Sequence, residues 1–292
     1  MFDESLSYAA RGTNLGPIVF FGQRFCIDTA DGILLRLGRA VAAPPESGMV
    51  ILHANLHSMF NRSRNGTLRA IMGESTTVVL FEGIALKLAR LSTSLEWIPD
   101  VSGTDLVPLF LRRTDRSPLR VALVGGKPAI AQRAAAAMAR SAPSVKIVAV
   151  AEGYGDLSPT GRIQKLVAES KPDVVLLGLG TPLQEITAES WREAGTAPLI
   201  WCVGGLFDYW AGARRRSPIW IQRCRMEWLW RLARHPTFFW RRTLVEGPWL
   251  LMQLMGEAKS WKIHIGRPYW LRSMSKSRTT GTYAPRKKHF GG

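Results

Sequence analysis

The sequence predicts an α/β fold: a mostly parallel, Rossmann-like sheet with helices on both faces, followed by a basic helical C-terminal appendage. Three observations carry this. Short apolar runs recur as far as Val203, most of them unbroken, as strands buried on both faces require. Amphipathic segments at helical spacing separate them, and strand–helix alternation gives parallel pairing. Beyond Val203 the alternation stops and an Arg- and Trp-rich stretch with only helical periods begins.

The strands predicted in order are Ile18–Phe21, Met49–His53, Thr77–Phe81, Arg120–Val124, Val145–Val150, Val174–Leu177 and Leu199–Val203. The helices are Gly32–Ala42, with Ile33, Leu34, Leu37 and Val41 on one stripe, then Asp105–Arg113, Pro128–Ser141 and Thr160–Ser170. Ala129 to Ala139 is alanine-rich, which favours helix strongly. In the tail, Trp220, Cys224 and Trp228 lie one turn apart, with Arg223, Arg231 and Arg234 on other faces. No internal repeat is visible.

The most informative segment is Lys171 to Glu185, K-P-D-V-V-L-L-G-L-G-T-P-L-Q-E. A buried strand ends in Gly178 and Gly180, which permit positive φ and close approach of a ligand. Thr181 suits a helix cap and Pro182 a first helical turn, with Gln184 and Glu185 just inside. A strand, a glycine turn and a helix N-terminus receive phosphate-bearing ligands at the carboxyl end of a parallel sheet. The amide and carboxylate suit a sugar or ribose. Taken alone, the segment also fits an ordinary strand-to-helix connection. Other strand ends add to it: Gly125, Gly126 and Lys127; Gly204, Gly205 and Asp208; Glu82 and Gly83; and Asn55. The carboxyl ends of parallel strands share one edge, so these residues are expected to converge on one cleft.

Several chemistries find no support. There is no G-x-x-x-x-G-K-[ST] loop, no G-x-G-x-x-G after the first strand, no G-x-S-x-G elbow and no D-x-D pair. His53 and His57 have an i, i+4 spacing, but H-A-N-L-H lacks a zinc protease's glutamate. No metal and no cofactor is expected. Cys26, Cys202 and Cys224 read as free thiols. No apolar run reaches the ~18–20 residues a bilayer span needs, and the acidic start M-F-D-E-S-L is unlike a signal peptide. The expected location is cytoplasmic. Residues 212 to 292 hold 18 of the 39 Lys and Arg but three acids, Glu227, Glu246 and Glu257. That excess calls for an anionic partner, either acidic lipid or nucleic acid. A solvated face for the Arg and core packing for the Trp are the plainer alternatives.

S-G-T-D-L (102–106), the Val124-Gly125-Gly126 turn, P-D-V-V-L-L-G-L-G-T-P-L-Q-E (172–185), V-G-G-L-F-D-Y-W-A-G (203–212), R-S-P-I-W (216–220) and M-E-W-L-W-R-L (226–232) occur in one order. With them the chain, from about Phe20 to Arg242, resembles the WecG/TagA/CpsF glycosyltransferases of bacterial surface-polymer synthesis. The resemblance implies a compact α/β fold of the GT-E type. It implies inverting, metal-independent transfer from a UDP-sugar to a polyprenyl-pyrophosphate-linked sugar. It also implies a basic C-terminal appendage that docks peripherally on the anionic inner face of the cytoplasmic membrane. The expected division is residues 1–211 as the nucleotide-sugar-binding catalytic domain, 212–275 as the Trp-rich appendage and 276–292 as a disordered basic tail.

By resemblance, Glu82-Gly83 stands where the family has a D-G turn with its proposed base, and His53-Ala54-Asn55 where it has T-x-N. Asp100 replaces a frequent Arg. Tyr154, Gln184 and Asp208 match positions expected to hold the nucleotide, and Arg216 matches an appendage arginine. The expected donor site is therefore Asn55, Gly125, Gly126, Tyr154, Gly180, Thr181, Gln184, Glu185, Gly205 and Asp208. Glu82 and Arg216 are the expected catalytic groups. Arg214, Arg215, Arg223, Arg231, Trp220 and Trp228 are expected at the acceptor or membrane. Transfer of glucose, as in xanthan-type polymers, competes with transfer of an N-acetylmannosamine-type sugar. A homo-oligomer is compatible with the sequence and not required by it. The rival classes are a nucleic-acid-binding protein using the basic tail and a catalytically inactive scaffold. No helix-turn-helix, zinc or RNP motif supports the former, so no nucleic acid is expected.

Overall fold

The computed structural model describes residues 18–20, 22–83, 86, 101–113, 118–153, 155–158, 161–214, 217–218, 221 and 226–257. Two short strands, β1 (Ile18–Phe20) and β2 (Gln23–Phe25), form an antiparallel hairpin about Gly22, whose φ is +63°. The first predicted strand therefore joins its own two-stranded ladder. The chain then touches the main sheet at one bridge, where the Cys26 N–H donates to the Val79 carbonyl at 2.8 Å.

The main sheet holds β3 (Met49–Ala54), β4 (Thr77–Phe81), β5 (Leu119–Gly125), β6 (Val145–Ala151), β7 (Val174–Gly178) and β8 (Leu199–Cys202). Their order is β4-β3-β8-β7-β5-β6, and every neighbouring pair is parallel. The mostly parallel α/β sheet expected from the sequence is thus present. Side-chain alternation sorts each apolar run onto two cores. Val50, Leu52, Val79, Val175 and Leu177 face one side, while Ile51, Val78, Leu80, Val174 and Leu176 face the other. Phe25, Ile51, Leu80 and Phe81 are almost wholly enclosed, and burial stabilises by roughly 1.5–3 kcal/mol for each such side chain.

On the first side lie α2 (Leu56–Arg64) and α3 (Gly66–Gly73). The other side carries α1 (Ala30–Val41), α4 (Gly103–Arg113) and α5 (Pro128–Ser141). The first side is completed by α6 (Arg162–Glu169) and α7 (Leu183–Glu193), and the second by α8 (Leu206–Trp210). Two asparagines start helices that the apolar pattern did not announce. Asn55 caps α2 and Asn65 caps α3, each accepting from a backbone N–H three residues on.

The C-terminal segment is helical, as expected: α9 (Glu227–Arg234), α10 (Pro236–Arg241), a π-helical turn (Arg242–Glu246) and α11 (Gly247–Glu257). It folds back onto α2. Trp249 meets Phe60 edge-on at 5.3 Å, Leu250 is buried, and Glu246 lies 2.7 Å from His57 Nδ1. The tail expected to be disordered, 276–292, lies outside the described residues.

Candidate active site

The carboxyl ends of the six parallel strands form one edge, and the polar turns are ranged along it. Between β4 and β7 lie three inter-strand spacings, about 14 Å. A ligand that touches both ends of this row must be elongated.

At one end stands Glu82, directly after β4. Its N–H donates to the Ala54 carbonyl at 3.1 Å, which pins the β4 end to the β3 end. Gly83 follows with φ +68°, a left-handed conformation that glycine adopts without strain. The Asn55 side-chain oxygen accepts the Ser58 N–H at 3.1 Å as the α2 cap, while Ser58 Oγ accepts the Asn55 N–H at 2.8 Å. That capping box turns the Asn55 amide nitrogen outward, and it donates to Glu82 Oε1 at 3.2 Å. The Gly103 N–H, at the start of α4, donates to Glu82 Oε2 at 3.2 Å. The carboxylate therefore sits at a helix N-terminus, where negative charge is favoured. Its side chain keeps 24% exposure, so it is anchored yet open to the cleft.

Beneath it lies His53. The ring plane is nearly parallel to that of the Trp201 indole (9° apart), whose N–H donates to His53 Nε2 at 2.9 Å. His53 Nδ1 is 3.4 Å from Glu82 Oε2. A Cβ on Gly103 would stand 3.0 Å from the imidazole, so the glycine of S-G-T-D-L lets α4 close over the ring.

In the middle of the edge, the turns after β7 and β8 are tied together. Gln184 accepts the Gly204 N–H at 3.1 Å and donates to Glu185 Oε1 at 2.9 Å, and Thr181 Oγ1 donates to the same oxygen at 2.8 Å. Gln184 and Glu185 are both buried, so their side chains brace the turns from behind. Gly180 (φ +80°) and Gly205 remain exposed beside the cleft. Further along, Gly125 pairs with Gly178 across β5 and β7. A Cβ on Gly125 would come within 2.4 Å of the Gly178 carbonyl oxygen, so only glycine permits this close approach. Gly126 continues the turn with φ +69° and hands over to α5 at Pro128. Asp208, in α8, pairs with Arg214 Nε at 3.3 Å, and each is 29% exposed.

Several expected site residues lie outside the described residues: Tyr154, Arg215, Arg216, Trp220 and Arg223, together with Asp100. Trp228 falls in α9, where only its backbone is described. Arg231 is exposed on α9, 3.8 Å from Glu227. The His53–His57 pair does not share a helix face, because His53 lies in β3 and His57 in the first turn of α2. Among the described residues, no group of three His, Cys, Asp or Glu is arranged to hold a metal. Sequence reasoning passed over Trp201 as a site residue. The signal was the polar His53 inside a buried strand, which requires a partner.

Burial raises the Glu185 carboxyl above its ordinary range, against the hydrogen bonds from Gln184 and Thr181 and the nearby His57. Its Oε2 is buried without a hydrogen-bond partner. The folded state thus binds the proton more tightly than the unfolded chain, which ionises near pH ~4.3. Stability from this group is present below that pH and is lost as pH rises through the folded-state value. Glu185→Gln should remove that slope. Measured melting temperatures should show the variant gaining on the wild type from pH 4 to pH 7, by about 2–4 °C per kcal/mol of charge burial removed. A difference constant with pH would contradict it.

The profile of the WecG/TagA/CpsF glycosyl transferase family matches residues 19–263, most of the chain. The chain belongs to this family. It is a UDP-sugar-dependent glycosyltransferase. Two relatives carry the name N-acetylglucosaminyldiphosphoundecaprenol N-acetyl-beta-D-mannosaminyltransferase. The protein of Bacillus subtilis (strain 168) is 26% identical over 194 residues, 66% of this chain and 74% of its own. That of Bacillus spizizenii (strain ATCC 23059 / NRRL B-14472 / W23) is 26% identical over 217 residues, 74% of this chain and 83% of its own. The match spans Glu82, the three glycine turns after β5, β7 and β8, and the described C-terminal helices.

Proposed function

We propose that this family member transfers a hexose from UDP to a hydroxyl of a saccharide carried on polyprenyl diphosphate, for a cell-surface polymer. The observation that carries the reading is Glu82, held by Asn55 and Gly103 on the same sheet edge as the glycine turns. The diphosphate lies along the turns at Gly125, Gly126, Gly180 and Gly205, with Asp208 toward the nucleoside. Gln184, Glu185 and Thr181 keep the turns in shape. Glu82 takes the proton of the acceptor hydroxyl as its oxygen bonds to the anomeric carbon. The bond from that carbon to the β-phosphate oxygen breaks on the opposite face, which inverts the centre. UDP leaves with the electron pair, its charge offset by arginines of the segment from Arg214, Arg216 first among them.

The C-terminal helices support a membrane role. Leu229, Trp240, Leu244, Leu251 and Met252 are exposed large apolar side chains, and Arg231, Arg234 and Arg241 are exposed among them. Apolar side chains beside basic ones suit an anionic bilayer surface. Among the described residues, no helix is long and apolar enough to cross a membrane. A lipid-linked acceptor would then keep its chain in the bilayer and bring its saccharide to the cleft.

We take an N-acetylmannosamine-type donor as the first candidate, a reading the relatives' names support. His53 and Glu82, which depart from the family pattern at the carboxylate itself, keep glucose as a second donor. The test is UDP release from UDP-N-acetylmannosamine, UDP-glucose and other UDP-sugars with short-chain lipid-diphosphate acceptors and excess chelator. One donor should turn over, acceptor-dependently and undiminished by chelator. Turnover abolished by chelator and restored by Mg²⁺ or Mn²⁺ would overturn the metal-independent reading. No acceptor-dependent release from any donor would favour the scaffold.

A further inference from the structure

We propose that His53 is a positioning residue that aims Glu82, and that Trp201 fixes the tautomer in which it does so. This rests on the reading of Glu82 as the base. The argument starts from an asymmetry of the indole, whose N–H can only donate. Trp201 Nε1 lies 2.9 Å from His53 Nε2, so that nitrogen must present its lone pair. A neutral imidazole then carries its hydrogen on Nδ1. Nδ1 is buried without a hydrogen-bond partner, and the carboxylate oxygen beside it is Glu82 Oε2, at 3.4 Å. An imidazolium would carry hydrogen on both nitrogens and set Nε2–H against the indole N–H. Trp201 thus selects the neutral ring with its N–H toward the carboxylate.

The surroundings enforce the same state. β8 contributes Trp201, the β4 end contributes Glu82, and α4 closes over the ring through Gly103. α2 contributes Ser58 Oγ, 3.4 Å from the His53 carbonyl oxygen. Glu82 is the one ionisable side chain found against the ring among the described residues. Burial holds His53 below its ordinary value, with the Glu82 charge acting the other way.

The arrangement has a chemical consequence. A neutral N–H orients the carboxylate without forming an ion pair. With Gly103 on Oε2 and Asn55 on Oε1, it restricts rotation of a flexible side chain and turns the open lone pairs toward the cleft. An imidazolium in the same place would pair with the carboxylate and oppose its uptake of the acceptor's proton.

The test uses the full chain. In ring-¹⁵N-labelled protein, the resonance lost in His53→Gln identifies His53. It should show the neutral Nδ1–H form and fail to titrate near pH ~6.5, the ordinary histidine value. An Nε2–H form, or ordinary titration, would overturn the proposal. In kinetics, His53→Leu should lower kcat by up to about 10²-fold at unchanged KM for the UDP-sugar, and His53→Gln, which keeps a donor, should recover part of it. Trp201→Phe frees Nε2, so the rate should acquire a new fall on the acid side, below the ordinary histidine range because the ring stays buried, as the imidazolium forms beside Glu82. His53→Leu added to Glu82→Gln should cost nothing further, because its effect passes through that carboxylate. If Glu82→Gln abolishes turnover while His53→Leu leaves kcat and pH profile intact, the positioning role fails and the base stands. If Glu82→Gln itself retains full turnover, the base reading fails, whatever the tautomer.

Discussion

Replacing Glu82 by glutamine should lower turnover by about 10²- to 10⁴-fold, the range for lost acid–base catalysis, while UDP affinity changes little. The two readouts separate because Glu82 stands at the β4 end, some three strand spacings from the β7 turn assigned to the diphosphate. The amide keeps the side chain's length but has no basic oxygen for the acceptor's proton. It also has one acceptor atom where the carboxylate has two, so either the Asn55 donor or the Gly103 N–H loses its partner. That mismatch is expected to lower stability by about 1–3 kcal/mol, so folding is checked by thermal melting before rates are compared. Glu82→Asp serves as control: it keeps the base but withdraws it by one methylene, and should fall between wild type and Gln. UDP affinity is read by calorimetry and turnover by UDP release. Wild-type-like turnover in a folded Gln variant would falsify the role.

Much of the sheet could be read from local sequence because its causes are local. Six apolar runs became the six parallel strands, and Pro128–Ser141 is a helix over that same span, since Pro128 fits a first turn and the alanines propagate it. The hairpin at Gly22 and the helices behind Asn55 and Asn65 were not read. Their signals are single turn or cap residues, and α2 carries only a short apolar stripe of Met59 and Phe60. The placement of Glu82, Gly125 and Asp208 along the sheet edge was legible, because each follows from one strand end. It was not legible where partners are distant in the chain. Trp201 reaches His53 across 148 positions, and no window contains both. Gln184 and Glu185 illustrate the same limit. At a helix mouth they read as ligand contacts, but the Gly204 turn, 20 positions on, closes over Gln184, and both side chains are buried. Burial is decided by packing, which local sequence does not specify.

Truncation before Gly212 should abolish both vesicle binding and turnover, for separable reasons. The removed segment holds 18 of the 39 basic residues and seven Trp, from Trp220 to Trp270. Without them the remaining surface has little attraction for anionic lipid. Turnover should fall even with a water-soluble acceptor, because Arg214 and Arg216 leave together. A third effect follows from the fold. The cut also removes Trp249 from Phe60 and Glu246 from His57, which uncovers α2, the helix whose cap residue Asn55 holds Glu82. The α/β core should still fold, because its six strands and their flanking helices precede the cut, but with lower solubility and a lower melting temperature. Replacing Arg286, Lys287 and Lys288 by alanine separates surface charge from site integrity. Each basic residue near an anionic surface contributes about 1 kcal/mol, so partitioning to phosphatidylserine-containing vesicles should weaken by roughly 10²-fold. It should weaken further with added salt, whereas turnover on the soluble acceptor should not change. Vesicle binding that survives truncation would remove the membrane role. Salt-sensitive binding of the intact chain to DNA, with none to vesicles, would assign the same charge to nucleic acid, because phosphate contacts of either kind weaken with salt and only the choice of partner distinguishes them.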